Sequence, residues 1–341
     1  MAFTRRRLLM MSLGSGAAMA AGAWTSLARF GRGGRHLADG AVTRTSWALG
    51  ADVTMTVLDL PAARADRALD AAFGELETVE TVMSLYRPDS QLCRLNRDRS
   101  LDRPHPYLVE VLAAAEATAR LSNGAFDVTV QPLWQLFAAC MKQGRLPTDS
   151  EIATARRSVD WRSVECSSDR VRLHEPVTAV TLNGIAQGFA TDRAVAALRS
   201  HGVEHALVNA GEIGCVGAKP DGRDWSVGIQ HPREWDAFVS LAALRARSLA
   251  TSGDYETTFA GDFSQNHIFD PRTGDSPGEL ASVTIAAPTG LQADALSTAA
   301  MVLGAEQTLA LIARLPDVDA LLVRKDGRVL RTPGFEEVND A

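Results

Sequence analysis

The sequence has 341 residues, 46% of them hydrophobic and 22% charged, with a formal net charge of −6 at pH 7. That length supports a large buried core, and the composition lies outside the disordered, collagenous and polytopic-membrane classes. Only three lysines occur, Lys142, Lys219 and Lys325, so the clustered cations that nucleic-acid binding requires are missing and no nucleic-acid partner is expected.

In chain order, the first forty residues stand apart. Thr4 to Leu9 read TRRRLL, and an apolar stretch rich in Ala, Gly and Met follows to Leu27, which is the layout of a secretory signal. The paired Arg5 and Arg6 point to the twin-arginine route and so to a periplasmic destination. Ala18, Ala20, Ala21 and Ala23 offer cleavage positions; the alternative is an uncleaved anchor, in which case this segment alone would touch the membrane. No later segment is expected to be long and apolar enough to cross a bilayer. Removing residues 1–40, with six arginines against one aspartate, takes the formal charge to −11. Residues 28–46 read as an unpacked linker, with the fold beginning near Trp47.

Val53, Met55 and Val57 alternate as a strand does, and after Pro61 a helix is predicted from Ala65, Ala68, Leu69, Ala72, Phe73, Leu76 and Val79 at 3.6-residue spacing. A second helix runs from about Tyr107 to Leu121 and stops at Asn123-Gly124. Strand-like runs follow at Val177 to Leu182, His205 to Asn209 and Trp225 to Ile229, interrupted by a helix near Gln187 to Arg199. The C-terminal part carries a strand at Ser282 to Ala286, helices over Ala293 to Leu303 and Ala305 to Leu315, and a hairpin around Asp326-Gly327. Helices and strands mix without a βαβ rhythm, so the expected fold class is α+β.

Several patterns admit both a chemical and a structural reading. His201 and His205 are four apart, yet Gly202 falls where the preceding helix should end, so a shared zinc-binding face is not expected. Gly211, Gly214 and Gly217 follow a strand, but GxxGxxG before a turn is not the GxGxxG that opens a dinucleotide-binding helix. Cys93, Cys140, Cys166 and Cys215 are scattered and are expected to be buried small hydrophobes, with pairing left open. Asp294 and Thr298, four apart at the start of a helix, offer a carboxylate and a hydroxyl to a hard cation; capping or solvation explains them equally well.

Seven ordered stretches make a more specific pattern: SLYRPDSQLCRLN from Ser84, GAFDVTVQPLW from Gly124, LNGIAQGFATD from Leu182, LVNAGEIGCVG from Leu207, TSGDYE from Thr251, HIFDPRTG from His267 and ADALSTA from Ala293. In these the chain resembles the ApbE family of FAD:protein FMN transferases from about Trp47 to Gly327. AGEIG, GDYETTF and the twin-arginine leader are most similar to the NosX branch, associated with nitrous oxide reductase maturation. The resemblance implies an ApbE-like body of mixed sheets and helices in two packed lobes over 41–341, behind a signal and linker over 1–40. It implies an enzyme with FAD as substrate, Mg²⁺ as metal and, as partner, an exported or membrane flavoprotein, such as a NosR-like protein, bearing an acceptor Thr or Ser.

The same resemblance implies residue roles. Asp294, Thr298 and the main-chain carbonyl of Ala186 would hold the metal. Leu49, Tyr86, Ala125, Phe126, Asp127, Thr181, Gln187 and Ile268 would line the flavin nucleotide site. Thr181 and Gln187 stand where the family commonly has Asp and Lys, and Leu49 where Met is usual. A hydroxyl and an amide still hydrogen-bond but lose the charges that would fix a ribose and offset a pyrophosphate. His267 is the candidate base, since an imidazole titrates at about 6.5. An FAD pyrophosphatase, with water as acceptor, and a non-catalytic flavin carrier remain as alternatives.

Overall fold

The computed structural model describes residues 35–36 and 40–338. The expected leader, with Arg5 and Arg6, lies outside the described residues.

The sheet starts earlier than Trp47. Strands β1 (Arg35–His36), β2 (Val42–Ala48) and β3 (Ala51–Leu58) form an antiparallel edge, so the expected linker is in part a strand. Its Ser and Thr content misled the reading because the outer face of this hairpin is polar. Thr43 meets Thr56 at 2.9 Å and Thr45 meets Thr54 at 3.1 Å across the strands, while Val53, Met55 and Val57 point inward. Leu49 and Gly50 both take positive φ, 54° and 74°, as a two-residue hairpin turn requires.

Helix α1 (Ala62–Met83) lays its predicted apolar face on this hairpin and runs into α2 (Gln91–Asp98), capped by Ser90. Beyond them lie β4 (Ser100–Asp102), α3 (Pro106–Leu121), α4 (Gln131–Lys142), α5 (Asp149–Arg156), β5 (Val164–Cys166) and β6 (Arg170–Leu173). The strand expected at 177–182 is absent. Val177 and Val180 are fully buried, but Asn96 binds both the N–H and the carbonyl of Val180, and Thr181 N–H donates to Val128. A buried loop can be as apolar as a strand if a side chain satisfies its backbone.

Helix α6 (Ala186–Ser200) leads to β7 (His205–Asn209), β8 (Ile213–Val216), β9 (Trp225–Gln230), β10 (Phe238–Leu244), β11 (Ser248–Gly253) and β12 (Leu280–Ala287). Helix α7 (Gly290–Ile312), β13 (Asp319–Arg324) and β14 (Val329–Arg331) complete the body. α7 merges the two expected helices across a kink at Gly304, φ 79°, and β13–β14 is the expected hairpin.

Among the described residues, nine strands form one sheet in the order β1-β2-β3-β7-β8-β11-β12-β13-β14, every neighbouring pair antiparallel. Helices α1, α6 and α7 cover one face; the β9–β10 ribbon covers part of the other. β13 shows the consequence, since Ala320 and Leu322 pack toward α7 while Leu321 and Val323 pack toward the ribbon. The helix-side core falls into two clusters, one around α1, α6, β3 and β7, the other around α7, β12 and β13.

Two further expectations change. α7 is by length and composition apolar enough to span a bilayer, contrary to the sequence reading, yet most of it is buried against the sheet. All four cysteines are free; Cys140 and Cys215 are buried as expected, whereas Cys93 and Cys166 are only partly so.

Candidate active site

The site is built where the starts of α6 and α7 meet. Each helix brings a glycine to the contact. A Cβ on Gly188 would stand 2.1 Å from the Gly290 carbonyl oxygen, and one on Gly290 would stand 2.5 Å from that of Gly188. Only hydrogen on both sides permits this approach. It brings Asp294, one turn into α7, against the first turn of α6, where its Oδ2 accepts from Gly188 N–H at 2.9 Å. Asp294 is 4% exposed, and burial holds its carboxyl well above the ordinary carboxylate value, with Asp192 adding a like charge. No ion pair to Asp294 occurs among the described residues.

Thr298 lies one turn beyond Asp294. Its Oγ1 is 3.3 Å from Ser252 Oγ at the end of β11, and Ser252 also meets Ser297 at 2.8 Å. A Cβ on Gly184 would stand 2.7 Å from Thr298 Oγ1, so the loop ahead of Ala186 closes onto the same hydroxyl. Asp294 and Thr298, expected together, are therefore brought to the start of α6, where Ala186 is the first helical residue.

Around this centre the structure joins most of the predicted positions. Ala125 and Ile268 share a cluster with Ala293 and Leu296 of α7, while Phe126 packs in the other cluster with Ile185 and Ala295. Thr181 is tied by its N–H to Val128, two residues from Phe126. Gln187 Nε2 donates to the Leu49 carbonyl at 3.4 Å, and Leu49 N–H donates to Glu80 at 3.1 Å. Burial raises the Glu80 carboxyl above its usual value. Asp127 accepts from the Thr129 N–H and hydroxyl within its own loop and from the distant Trp161 N–H, and burial raises its carboxyl. Its geometry shapes the 125–129 segment.

Tyr86 sits 66% exposed on the loop between α1 and α2, and among the described contacts none joins it to the other candidates. His267 lies beside Ile268, and its Nδ1 is 3.3 Å from the Thr257 carbonyl oxygen. The sequence reading missed Glu80, Asp192 and Ser252 as parts of the site. Ser252 and Asp192 carried a signal, through their places in TSGDYE and LNGIAQGFATD; Glu80 carried none.

The disfavoured motifs resolve as structure. His201 caps α6 and His205 opens β7, each with Nδ1 on a carbonyl oxygen. Gly211 accommodates the Gln187 amide and Gly214 accommodates Thr191, so this glycine run serves the seating of α6. Among the described residues no group of three or more His, Cys, Asp or Glu side chains could hold a metal.

Residues 49–322, which contain every one of these positions, match the ApbE family. The chain belongs to the ApbE family. It is 33% identical over 299 residues to a Treponema pallidum protein named FAD:protein FMN transferase, covering 81% of this chain and 82% of that one. An Escherichia coli protein of the same name is 29% identical, covering 76% and 77%. Among solved structures, the ApbE protein of Thermotoga maritima superposes with a TM-score of 0.78 at 29% identity, over 87% of this chain and 100% of that one. The flavinyl transferase ApbE of Pseudomonas stutzeri, in its apo form, gives 0.72 at 30% identity, over 86% and 94%. The ApbE fold thus accounts for the large antiparallel sheet with helices on one face and for the α+β class expected from sequence.

Proposed function

We propose that this chain catalyses Mg²⁺-dependent transfer of FMN from FAD to a Thr or Ser hydroxyl of an exported or membrane flavoprotein, releasing AMP. Transferase activity is supported by the family and by relatives that share the name. One observation supports the metal-dependent form: Asp294 is buried with no cationic partner among the described residues, and Thr298, one turn further along α7, lies against the Gly184 backbone just ahead of Ala186.

These groups fit a hard cation. One Asp294 oxygen is held by Gly188 N–H, and the other, with the Thr298 hydroxyl and the Ala186 carbonyl, offers oxygen ligands of the type Mg²⁺ prefers. A cation bound there neutralises the FAD pyrophosphate and the leaving oxygen. The protein does the rest by placement. Leu49, Ala125, Phe126 and Ile268 give apolar cover, Thr181 and Gln187 offer hydrogen bonds to the nucleotide, and Tyr86 supplies an exposed aromatic face. The acceptor hydroxyl oxygen bonds to the FMN phosphorus as the bond from that phosphorus to the AMP oxygen breaks. The His267 imidazole is the candidate group to take the hydroxyl proton.

Export by Arg5 and Arg6, a mature body over 41–341, and a NosX-type role with a NosR-like acceptor belong to the same proposal. They are supported by the leader and by the AGEIG and GDYETTF variants. The decisive experiment incubates the protein with FAD, Mg²⁺ and an exported flavoprotein domain bearing a Thr acceptor. A flavin fluorescence that survives denaturation on the acceptor, equal amounts of AMP, and loss of both on changing the acceptor Thr to Val are expected. Free FMN and AMP without labelled acceptor would instead establish a pyrophosphatase. FAD bound and returned intact would establish a carrier.

A further inference from the structure

The contact between α6 and α7 is reciprocal. In sequence each helix start reads glycine, three residues, aspartate: Gly188 to Asp192 and Gly290 to Asp294. In space the carboxylates are exchanged. Asp294 of α7 accepts from Gly188 N–H at the start of α6. Asp192 of α6 accepts from Gly290 N–H at 2.6 Å and from Leu291 N–H at 2.9 Å at the start of α7. The glycine pair lies between them, each closed against the other's carbonyl.

We propose that Asp192 is a positioning residue for the cation site, holding α7 in the register that presents Asp294. The two aspartates divide the work by how many oxygens remain. Both Asp192 oxygens take a main-chain N–H, so the residue is committed to anchoring α7. Asp294 commits one oxygen to α6 and keeps the other for a ligand. A carboxylate at a helix start also complements the helix dipole, which strengthens the anchor. Gly188 and Gly290 approach without side chains, so at the very start of α7 the register is set by the Asp192 hydrogen bonds, while Ala295 and Ala299 pack on α6 further along. The anchor acts one turn from Asp294 along α7, and orienting partners of this kind set metal affinity by tenfold or more.

The inference rests on the cation reading of Asp294, and the test separates the two. The rise in Tm on adding Mg²⁺ is titrated for the wild type, Asp192→Asn, Asp294→Asn and Thr289→Ala, together with the Mg²⁺ midpoint and FAD KM of transfer. Thr289→Ala removes the neighbouring cap on Gln292 N–H and controls for general weakening of the same helix start. Asp192→Asn is expected to raise the Mg²⁺ midpoint about tenfold in both assays while leaving the FAD KM at saturating Mg²⁺ within about twofold. Thr289→Ala is expected to lower Tm without moving the midpoint. Where Asp192→Asn does not fold, Asp192→Glu carries the test, since it keeps the charge but displaces it by a methylene. A wild-type midpoint in the folded Asp192 variant, with Asp294→Asn unresponsive to Mg²⁺, overturns the positioning role alone. A wild type that does not respond to Mg²⁺ overturns both.

Discussion

At the scale of single residues, the proposed function rests on one buried carboxylate, Asp294, and the oxygens around it. Binding to the native state alone raises stability by RT ln(1 + [L]/Kd), about 2.7 kcal/mol at a hundredfold excess over Kd. Mg²⁺ is therefore expected to raise the wild-type Tm by several degrees, and Asp294→Asn to abolish both that rise and AMP formation. Thr298→Ala, which loses a neutral ligand, should weaken the response without removing it. A second prediction concerns Gln187, whose amide lies between Leu49 and Gly211. Gln187→Lys adds a cation beside the nucleotide site and should tighten FAD binding several-fold, about 1 kcal/mol, by fluorescence titration. Unchanged affinity would place Gln187 away from the pyrophosphate. The four-residue spacing of Asp294 and Thr298 puts them on one helical face, and the family resemblance rather than the spacing singled them out as ligand candidates. The roles of Asp192, which closes the LNGIAQGFATD motif, and of Glu80 were not legible, because their partners are main-chain N–H groups 99 and 31 residues away.

At the scale of elements, the α6–α7 contact is the most constrained packing in the site. Gly188→Ala would drive a methyl into the Gly290 carbonyl, a backbone atom that cannot rotate away. A loss of about 3 kcal/mol or more in chemical denaturation is expected, with loss of the Mg²⁺ response. Helix α5 offers a pH test away from the site. Thr148 and Glu151 form a capping box, and the Arg145 guanidinium with the Thr148 N–H and hydroxyl pulls the Glu151 carboxyl down to about 2. A depressed native pKa contributes stability above the ordinary value near 4.5 and loses it as pH falls toward 2. Amide exchange at the start of α5 should therefore accelerate over that interval, and Glu151→Gln should remove the pH dependence. The box was written in the sequence as Thr-x-x-Glu, but the helix it starts is short and half-polar. Without a long apolar period it does not stand out from a loop.

At the scale of the whole molecule, one sheet joins residues from both ends of the chain, and both of its faces are used. Leu321→Ala removes a side chain packed on the ribbon side of β13, not the catalytic side. It should cost about 3 kcal/mol in stability while leaving the FAD KM of the folded fraction unchanged. Replacing Arg5 and Arg6 with lysines should retain charge yet keep the protein inside the cell, read by fractionation, because a twin-arginine leader is recognised as an address. The sequence by itself determined the mixed α+β class and the main helices, since these follow from local periodicity. It also carried the family, through seven ordered motifs. Only the tertiary structure decided that residues 42–48 are a strand, that 177–182 are a loop held by Asn96, and that α7 lies in the core. It alone revealed the exchanged carboxylates of Asp192 and Asp294. Those outcomes depend on which distant backbone groups find a partner, and hydrogen bonds between segments a hundred residues apart leave no periodic trace in the chain.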